Sequence, residues 1–295
     1  LEIFPEKIRK VIESHGDVYH IAYEIGQEMS LNIIGQKDKT ITSVIVTAQD
    51  VAYTMQQIQE HNEVAVIEWT DNHTGLVGQL VRVIGLFTRE GDISGLAIRF
   101  GKSIPESHIL IQDILDNGNG VLLMGPPGMG KTTTLRSGAG YLAQRKNVTI
   151  LDLWISDLTS GGGYIHPSIR GASVLRGAVK DRAENIILAV QGLLPQWLVM
   201  DELSHQREID AVLSGSRKGV AIYATCHGKS LGDFINNPVL CRLAGDIQEV
   251  ILSGSTAQAR GLKKQAVKQR TGSAAFEYLV QMLDPQIFAI YKMEQ

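Results

Sequence analysis

The residues best suited to chemistry lie in one glycine-rich segment near the middle of the chain. Its sequence is Gly125-Pro126-Pro127-Gly128-Met129-Gly130-Lys131-Thr132, which matches the pattern G-x-x-x-x-G-K-[ST] at every fixed position. Glycines let backbone N–H groups wrap a phosphate, and a helix beginning at Lys131 adds the positive end of its dipole. We predict that Lys131 binds the β- and γ-phosphates of a nucleotide and that Thr132 ligates Mg²⁺, with Thr133 continuing the binding segment.

A second group of candidate residues follows an apolar run, Trp197–Met200. Asp201 is predicted to hold Mg²⁺ through water, and Glu202 to orient and deprotonate the attacking water. Two adjacent carboxylates favour a hydrolase over a kinase, because a hydrolase must activate water. No Asn-Lys-x-Asp motif for guanine occurs in the chain. The predicted cofactors are therefore ATP and Mg²⁺.

Two further pairs of polar residues have alternative interpretations. Thr225 and His227 follow an apolar run, and they either sense the γ-phosphate or are hydrogen-bonded structural residues. Asp152 and Asp157 follow another run, and they either act on water and Mg²⁺ or cap a turn. We include His227 among the predicted nucleotide-binding residues and Asp157 among the predicted catalytic residues.

These residues must be positioned by regular elements, and the sequence after residue 106 alternates strands with helices. Apolar runs predict buried strands at Gly120–Met124, Val148–Leu153, Trp197–Met200 and Val220–Ala224. Helices are predicted to begin near Lys131, Arg182 and Arg207. This alternation predicts an α/β fold of the P-loop NTPase class, similar to RecA and AAA proteins, with a parallel sheet and helices on both faces.

The sequence before this region predicts a smaller α+β domain. Helices are expected at Pro5–Ser14 and Ala48–His61, the second capped by Thr47. Strands are expected at Ile41–Val46, Val64–Trp69, Leu80–Phe87 and Ile93–Phe100, and the last two form a hairpin.

The predicted domain boundaries are 1–105 for the amino-terminal domain, 106–255 for the P-loop core and 256–295 for the remainder. This last part begins with a basic segment containing Arg260, Lys263, Lys264, Lys268 and Arg270. It ends with β-type runs at Phe276–Met282 and Ile287–Tyr291. The basic segment is either a solvated surface or a contact for nucleic acid.

Composition sets limits on the class of protein. The 295 residues are 44% hydrophobic and 20% charged, with a net charge of -3, so there is no general attraction to nucleic acid or anionic membranes. Cys226 and Cys241 form no C-x-x-C pair, so the sequence does not support a disulfide framework or a zinc site and favours a reducing compartment. No apolar run approaches the roughly 20 residues of a membrane span. Leu1 is not an initiator Met, and its surroundings do not resemble a signal peptide, so we expect a cytoplasmic protein with residues missing upstream.

The ordered set of motifs resembles the stage III sporulation protein AA family and its cyanobacterial and plastid relatives. The similar segments are Ser94–Lys102, the P-loop with Thr133-Thr134-Leu135-Arg136, Leu198–Glu202, Ala224–Gly228, Asn236–Pro238, Gly245–Gln248 and the tail from Arg260 to Glu277. The resemblance implies a P-loop ATPase related to the hexameric traffic ATPases of secretion systems. It also implies a plastid stromal location if the chain is of the plastid type.

The chain departs from the family pattern at three places. Asp157 stands where the family has Glu, Leu203-Ser204 replaces Ile-Gly, and Ser137 replaces Asp. A shorter carboxylate at position 157 moves its oxygens by about one C–C bond, which would slow hydrolysis if that residue is the base.

Three functions are compatible with these features. The first is a homo-oligomeric ATPase motor, in a ring, that acts on an unidentified protein partner. The others are a nucleic-acid-associated ATPase and a nucleotide switch with little turnover. The ring hypothesis requires an arginine from a neighbouring subunit, and the candidates are Arg99, Arg170, Arg176 and Arg217.

Overall fold

The computed structural model of the chain describes residues 1–69, 72–152, 158–160, 165–176, 182–245, 247–251, 266–270 and 272–293. They divide into two units. One contains Leu1–Ser103 with the described residues of Trp154–Ser168, and the other contains the described residues of Ile104–Leu153 and Ile169–Gln295. None of the helices in these ranges is long and apolar enough to cross a bilayer.

The first unit is built on one antiparallel sheet with two helices. Its elements are α1 (Glu6–Ser14), β1 (Val18–Glu24), β2 (Glu28–Ile33), β3 (Thr40–Ile45), α2 (Ala48–Asn62), β4 (His73–Gly75), β5 (Val81–Phe87) and β6 (Ile93–Phe100). The strand order is β3-β2-β1-β6-β5-β4. The predicted helices and the predicted β5–β6 hairpin are confirmed, whereas the sequence did not predict β1, β2 and β4.

The start of α2 shows how the sequence fixes an element of this unit. The Thr47 hydroxyl accepts a hydrogen bond from Asp50 N at 3.3 Å, and Asp50 Oδ2 accepts one from Thr47 N at 2.8 Å. These reciprocal bonds satisfy N–H groups that a helix leaves unpaired in its first turn. Lys7 of α1 lies 2.6 Å from the same Asp50 oxygen and links the two helices.

The strand predicted at Val64–Trp69 is wrong. α2 ends at Asn62, its C-cap residue Glu63 has the left-handed conformation, and Val64 N donates to Gln59 O at 3.0 Å. The chain that follows is irregular. Ile67 and Trp69 still pack into the core of the unit, the latter edge-on against Phe87 with ring centroids 5.5 Å apart. Apolar residues therefore bury here without forming a sheet ladder.

The second unit is built on a mostly parallel sheet. Its helices are α3 (Gln112–Asn117), α4 (Lys131–Ala143), α5 (Arg182–Leu188), α6 (Gln206–Arg217) and α7 (Leu231–Asn236). Its strands are β7 (Val121–Gly125), β8 (Val148–Leu151), β9 (Ser173–Leu175), β10 (Trp197–Met200), β11 (Ala221–His227), β12 (Ile247–Ile251), β13 (Ala266–Arg270), β14 (Tyr278–Asp284) and β15 (Ile287–Lys292). A π-helical turn, Ala189–Leu193, follows α5.

The main sheet has the order β15-β14-β7-β11-β10-β8-β9. All neighbouring pairs from β14 to β9 are parallel, and β15 is antiparallel to β14. β12 and β13 form a separate antiparallel ribbon. Because parallel strands end at the same edge, the loops after β7, β10 and β11 meet there.

Helices cover both faces of this sheet. On one face Leu198 and Ile222 share a core with Val212 of α6. On the other face the buried Tyr223 packs against α4, where a Cβ added to Gly138 would lie 2.7 Å from the tyrosine ring. The absence of a side chain at Gly138 therefore allows the helix to approach the sheet closely. The predicted α/β fold class is confirmed.

The terminal β-type runs form β14 and β15, and β14 pairs directly with β7. The hairpin is thus part of the core sheet. The domain boundaries predicted at 105 and 255 remain predictions. Of the basic segment, residues 260–265 lie outside the described residues.

Candidate functional site

The loop between β7 and α4 has the backbone conformation that the glycine pattern predicts. Gly128 and Gly130 both have φ of +80°, a left-handed conformation that favours glycine. A Cβ added to Gly128 would meet no atom within 4 Å, and one added to Gly130 would meet only Met282 Cε at 3.9 Å. The left-handed backbone conformation is therefore the reason for glycine at these two positions, since steric crowding is not. The open space beside them fits a ligand that contacts the backbone.

Lys131 begins α4 and is held at this loop. Its side chain is buried, and Nζ donates to Gly125 O and to Pro126 O, each at 2.8 Å. The ammonium group is therefore positioned by the backbone of the loop that it would share with a phosphate. Of the other predicted loop residues, Pro127 is exposed, whereas Met129, Thr132 and Thr133 are partly buried.

Thr132 and Asp201 are brought together from α4 and the end of β10. Thr132 Oγ1 donates to Asp201 Oδ2 at 2.6 Å. A hydroxyl and a carboxylate in contact at a phosphate-binding loop are oxygen donors of the kind that Mg²⁺ takes together with nucleotide phosphates. No group of three or more His, Cys, Asp or Glu that could bind a metal by itself occurs among the described residues. The donor set thus fits Mg²⁺ bound with a nucleotide.

The other oxygen of Asp201 is bound by β11. Thr225 Oγ1 donates to Asp201 Oδ1 and accepts a hydrogen bond from Glu202 N at 2.8 Å. Thr225 O also accepts from Leu203 N at 2.8 Å. The corner after β10 is therefore attached to β11 through one threonine.

Glu202 and His227 are in contact at the same edge. His227 Nε2 lies 2.9 Å from Glu202 Oε1, and both side chains are about half exposed, at 48% and 49%. The other ring nitrogen, Nδ1, lies 3.4 Å from Lys131 Nζ. A neutral imidazole that accepts from Lys131 at Nδ1 and donates to Glu202 at Nε2 satisfies both contacts. His227 therefore connects the loop lysine to the carboxylate.

A buried ion pair supports the corner that carries the two acids. Arg182 of α5 lies 3.1 Å from Glu208 of α6, and both side chains are buried. The arginine also donates to Asp201 O at 2.8 Å and to Glu202 O at 3.2 Å. Sequence reasoning missed this pair, since Arg182 was noted only as the start of a helix. An Arg and a Glu well separated in sequence give no local sign of their pairing.

Cys226 lies between Thr225 and His227, but its side chain is turned into the core. Burial raises the pKa of the thiol to about 12, although the charge of Lys131 acts in the opposite direction. The thiol is therefore protonated at neutral pH, and it is neither a nucleophile nor a metal ligand in this state.

The terminal hairpin also reaches the site. Gln281 of β14 donates from Nε2 to Lys229 O at 2.9 Å, and Tyr291 of β15 donates to Gln281 Oε1 at 3.2 Å. A Cβ added to Gly125 would lie 3.1 Å from Met282 O. The hairpin therefore contacts both the start of the phosphate loop and the segment after His227.

The positions of the other predicted residues differ, and Asp152 lies at the same carboxyl edge of the sheet, since Leu151 pairs with Met200. Asp157 lies outside the described residues. Asp152 is buried after β8, and its N–H donates to Leu175 O at 3.1 Å. Arg170 and Arg176 flank β9, so the segment predicted as a loop contains an edge strand. Arg217 ends α6 just before the amino end of β11, at the edge of the sheet opposite the site.

Comparison with known proteins places this site in a family. The family model described as sporulation stage III, protein AA matches residues 1–260. The stage III sporulation protein AA of Bacillus subtilis is 24% identical over 82% of this chain and 85% of its own length. The uncharacterized protein ycf45 of Porphyra purpurea is 28% identical over 99% of this chain and 51% of its own length. The protein SEEDLING PLASTID DEVELOPMENT 1 of Arabidopsis thaliana is 28% identical over 96% of this chain and 41% of its own length. The chain thus spans about half of the length of these last two relatives, or less.

Solved structures show the fold. The pilus retraction motor PilT with bound ADP superposes with a TM-score of 0.60 at 17% identity, over 98% of this chain and 83% of that chain. The ATPase DotB of Legionella pneumophila superposes with a TM-score of 0.53 at 16% identity, over 81% of this chain and 72% of that chain. These likenesses confirm the P-loop ATPase fold. With the family model matching residues 1–260, the chain belongs to the sporulation stage III, protein AA family.

Proposed function

We propose that this protein binds Mg·ATP on the loop from Gly125 to Thr132 and hydrolyses it with Glu202 as the general base. One observation carries the proposal. Four side chains from two separate elements, those of Lys131 and Thr132 on α4 and of Asp201 and Glu202 after β10, converge at the carboxyl edge of the parallel sheet. They are joined there by hydrogen bonds through Thr225 and His227.

ATP binding follows from the loop and its lysine. The backbone N–H groups and the amino end of α4 attract the phosphates. Lys131 Nζ donates to two loop carbonyls and lies 3.4 Å from His227 Nδ1. A triphosphate oxygen offers the ammonium group a charged acceptor, which forms stronger hydrogen bonds than a neutral carbonyl. Adenine is proposed as the base because the guanine motif is absent from the sequence.

Mg²⁺ would be held by Thr132 directly and by Asp201 through water. When bound, the ion neutralises negative charge on the β- and γ-phosphates and so stabilises the charge that develops during transfer. The residues that present it are already oriented, because each Asp201 oxygen accepts a hydrogen bond from a threonine hydroxyl.

Hydrolysis requires a base beside the γ-phosphate. A water oxygen attacks the γ-phosphorus, the bond from phosphorus to the β–γ bridging oxygen breaks, and ADP and phosphate form. Glu202 takes the proton of the attacking water. Its half-exposed side chain is accessible to that water, and His227 fixes its orientation through the 2.9 Å contact. Asp157 remains the alternative base proposed from the sequence.

The proposed unit of function is a homo-oligomeric ring in which an arginine from one subunit completes the site of the next. Arg99 is exposed on β6 of the first unit and is the first candidate. The amino-terminal domain would contact the neighbouring subunit or a protein partner. The names of the structural neighbours, a pilus retraction motor and an ATPase, support a motor that acts on a protein assembly. We favour this role over nucleic-acid binding, because the net charge is -3.

The test is the substitution Glu202→Gln. The amide keeps the shape and hydrogen bonding of the side chain but cannot accept the proton, so ATP affinity should persist while phosphate release falls by about 10²-fold or more. Glu13→Gln, on the exposed surface of α1, is the matched control and should behave as wild type. Calorimetry with Mg·ATP and a phosphate-release assay measure the two quantities.

The outcomes separate the hypotheses. Release of phosphate by Glu202→Gln at the wild-type rate would show that the base lies elsewhere, and Asp157 would be tested next. Tight ATP binding by the wild type without phosphate release would favour the nucleotide switch. Stimulation of turnover by DNA or RNA would favour the nucleic-acid-associated ATPase.

A further inference from the structure

Thr225 is the residue of the site whose role goes beyond the proposed set of catalytic and binding residues. It lies near the end of β11, between β10 and β7 in the sheet, and its side chain is only 1% exposed. A buried threonine in a sheet usually contributes packing, and its hydroxyl needs a partner. Here the hydroxyl has two partners, the carboxylate of Asp201 and the backbone N–H of Glu202.

The first contact fixes the Asp201 carboxylate. Thr225 donates to Oδ1 and Thr132 donates to Oδ2, so the carboxylate is held at both oxygens. Mg²⁺ demands near-ideal octahedral geometry and keeps several of its waters. A carboxylate that is already oriented loses less conformational freedom when it receives such an ion than one that rotates freely.

The second contact fixes the backbone from which the catalytic carboxylate extends. Glu202 has a φ of +60°, a left-handed conformation that is unfavourable for a non-glycine residue. Its N–H donates to Thr225 Oγ1 at 2.8 Å. On the other side, Arg182 donates to Glu202 O at 3.2 Å. The unfavourable conformation is therefore held from both sides, and the threonine supplies the contact from within the sheet.

We infer that Thr225 is a positioning residue that sets Asp201 for Mg²⁺ and Glu202 for water with a single hydroxyl group. This inference rests on the proposed function of the site. It assigns to Thr225 a dependence on the metal that a packing residue would not have. The prediction is a selective loss of metal-dependent nucleotide binding when the hydroxyl is removed.

The chain offers a matched set of variants. Thr225→Val removes the hydroxyl and keeps the branched shape, whereas Thr225→Ser keeps the hydroxyl and removes a methyl group. Thr149 on β8 is also fully buried in the same sheet, and its hydroxyl has no hydrogen-bond partner among the described residues. Thr149→Val therefore controls for the same change of atoms without loss of a contact.

The experiment is calorimetric titration with ATP in excess Mg²⁺ and again in EDTA, alongside phosphate release and thermal unfolding. We expect Thr225→Val to bind Mg·ATP about 10- to 100-fold more weakly, the usual effect of losing a residue that orients a metal ligand. Binding in EDTA should change by less than about threefold. Thr225→Ser should stay within about threefold of wild type in both titrations, and Thr149→Val should match wild type.

Two results would overturn the inference while leaving the proposed function intact. One is wild-type Mg·ATP affinity and turnover in Thr225→Val. The other is an equal loss of binding in Mg²⁺ and in EDTA, which would indicate a structural role. If the wild-type protein itself binds no ATP, the proposed function fails, and that result is distinguishable because it does not depend on Thr225.

Discussion

At the scale of single residues, the charged groups of the site are positioned by hydrogen bonds to backbone carbonyls and to threonine hydroxyls. Lys131 is held by the carbonyls of Gly125 and Pro126, and Asp201 is held by two threonines. Pre-oriented groups of this kind stabilise developing charge without reorganising during the reaction. We therefore expect each of them to make a separable contribution to the proposed nucleotide binding or turnover.

Lys131→Ala tests the binding contribution. The substitution removes the charge that faces the β- and γ-phosphates and little core packing, so we expect ATP affinity to fall by at least about 100-fold, in line with the loss of a charged hydrogen bond at about 1.5–3 kcal/mol or more. Lys146→Ala, at an exposed position just after the same helix, is the matched control and should bind as wild type. Calorimetry with Mg·ATP measures both, and circular dichroism verifies the fold. An unchanged affinity in Lys131→Ala would refute the assignment of the loop.

At the scale of elements, the terminal hairpin is the part whose position sequence analysis did not give. Its strands were predicted, but β14 pairs with β7, far away in the chain. Local patterns report that a run is β-type, and they do not report which strand lies beside it. The same limit applies to β1, where polar residues and a register shift between Val18 and His20 obscure the alternation.

Other elements were predictable because their patterns are local. The phosphate loop has a fixed spacing of glycines and a lysine, and the strands on both sides of it are uninterrupted apolar runs. Arg182 and Thr225 show the opposite case. Their roles arise from contacts with carbonyls and carboxylates on other elements, which exist only after the chain has folded.

A pair of leucines on β14 tests whether the hairpin is integral to the core. Leu279 is 1% exposed and Leu283 is 54% exposed. Leu279→Ala should destabilise the protein by about 2–5 kcal/mol through lost burial and a cavity. Leu283→Ala should stay within about 0.5 kcal/mol of wild type. Urea unfolding measures both. Equal stabilities in the two variants would mean that β14 contributes nothing to the folded core.

At the scale of the whole molecule, the question is whether one chain contains a complete site. The described residues bring together the lysine, both acids and their supporting residues. Arg182, which contacts the backbone of both acids, is buried and paired with Glu208. It donates to backbone carbonyls at the corner, so it is committed to structure. An exposed arginine from a neighbouring subunit would supply the charge that P-loop hydrolysis uses, an effect of about 10³–10⁵ in rate.

Mixing two inactive variants tests this arrangement. Lys131→Ala lacks a functional loop and Arg99→Ala lacks the proposed arginine, so each alone should release phosphate at least about 10²-fold more slowly than wild type. In a mixed ring, an intact loop of one subunit meets an intact Arg99 of the next, and activity should return at those sites.

The control is a mixture of Lys131→Ala with Glu202→Gln, two variants that are both defective in the same part of the site. Those two residues act in the same site of the same chain, so this mixture should recover no activity, whichever subunit supplies the arginine. If Arg99 acts in cis, the first mixture recovers nothing and turnover per subunit does not change with protein concentration. Recovery with Arg170→Ala or Arg176→Ala in place of Arg99→Ala would keep the ring and move the role to the segment around β9.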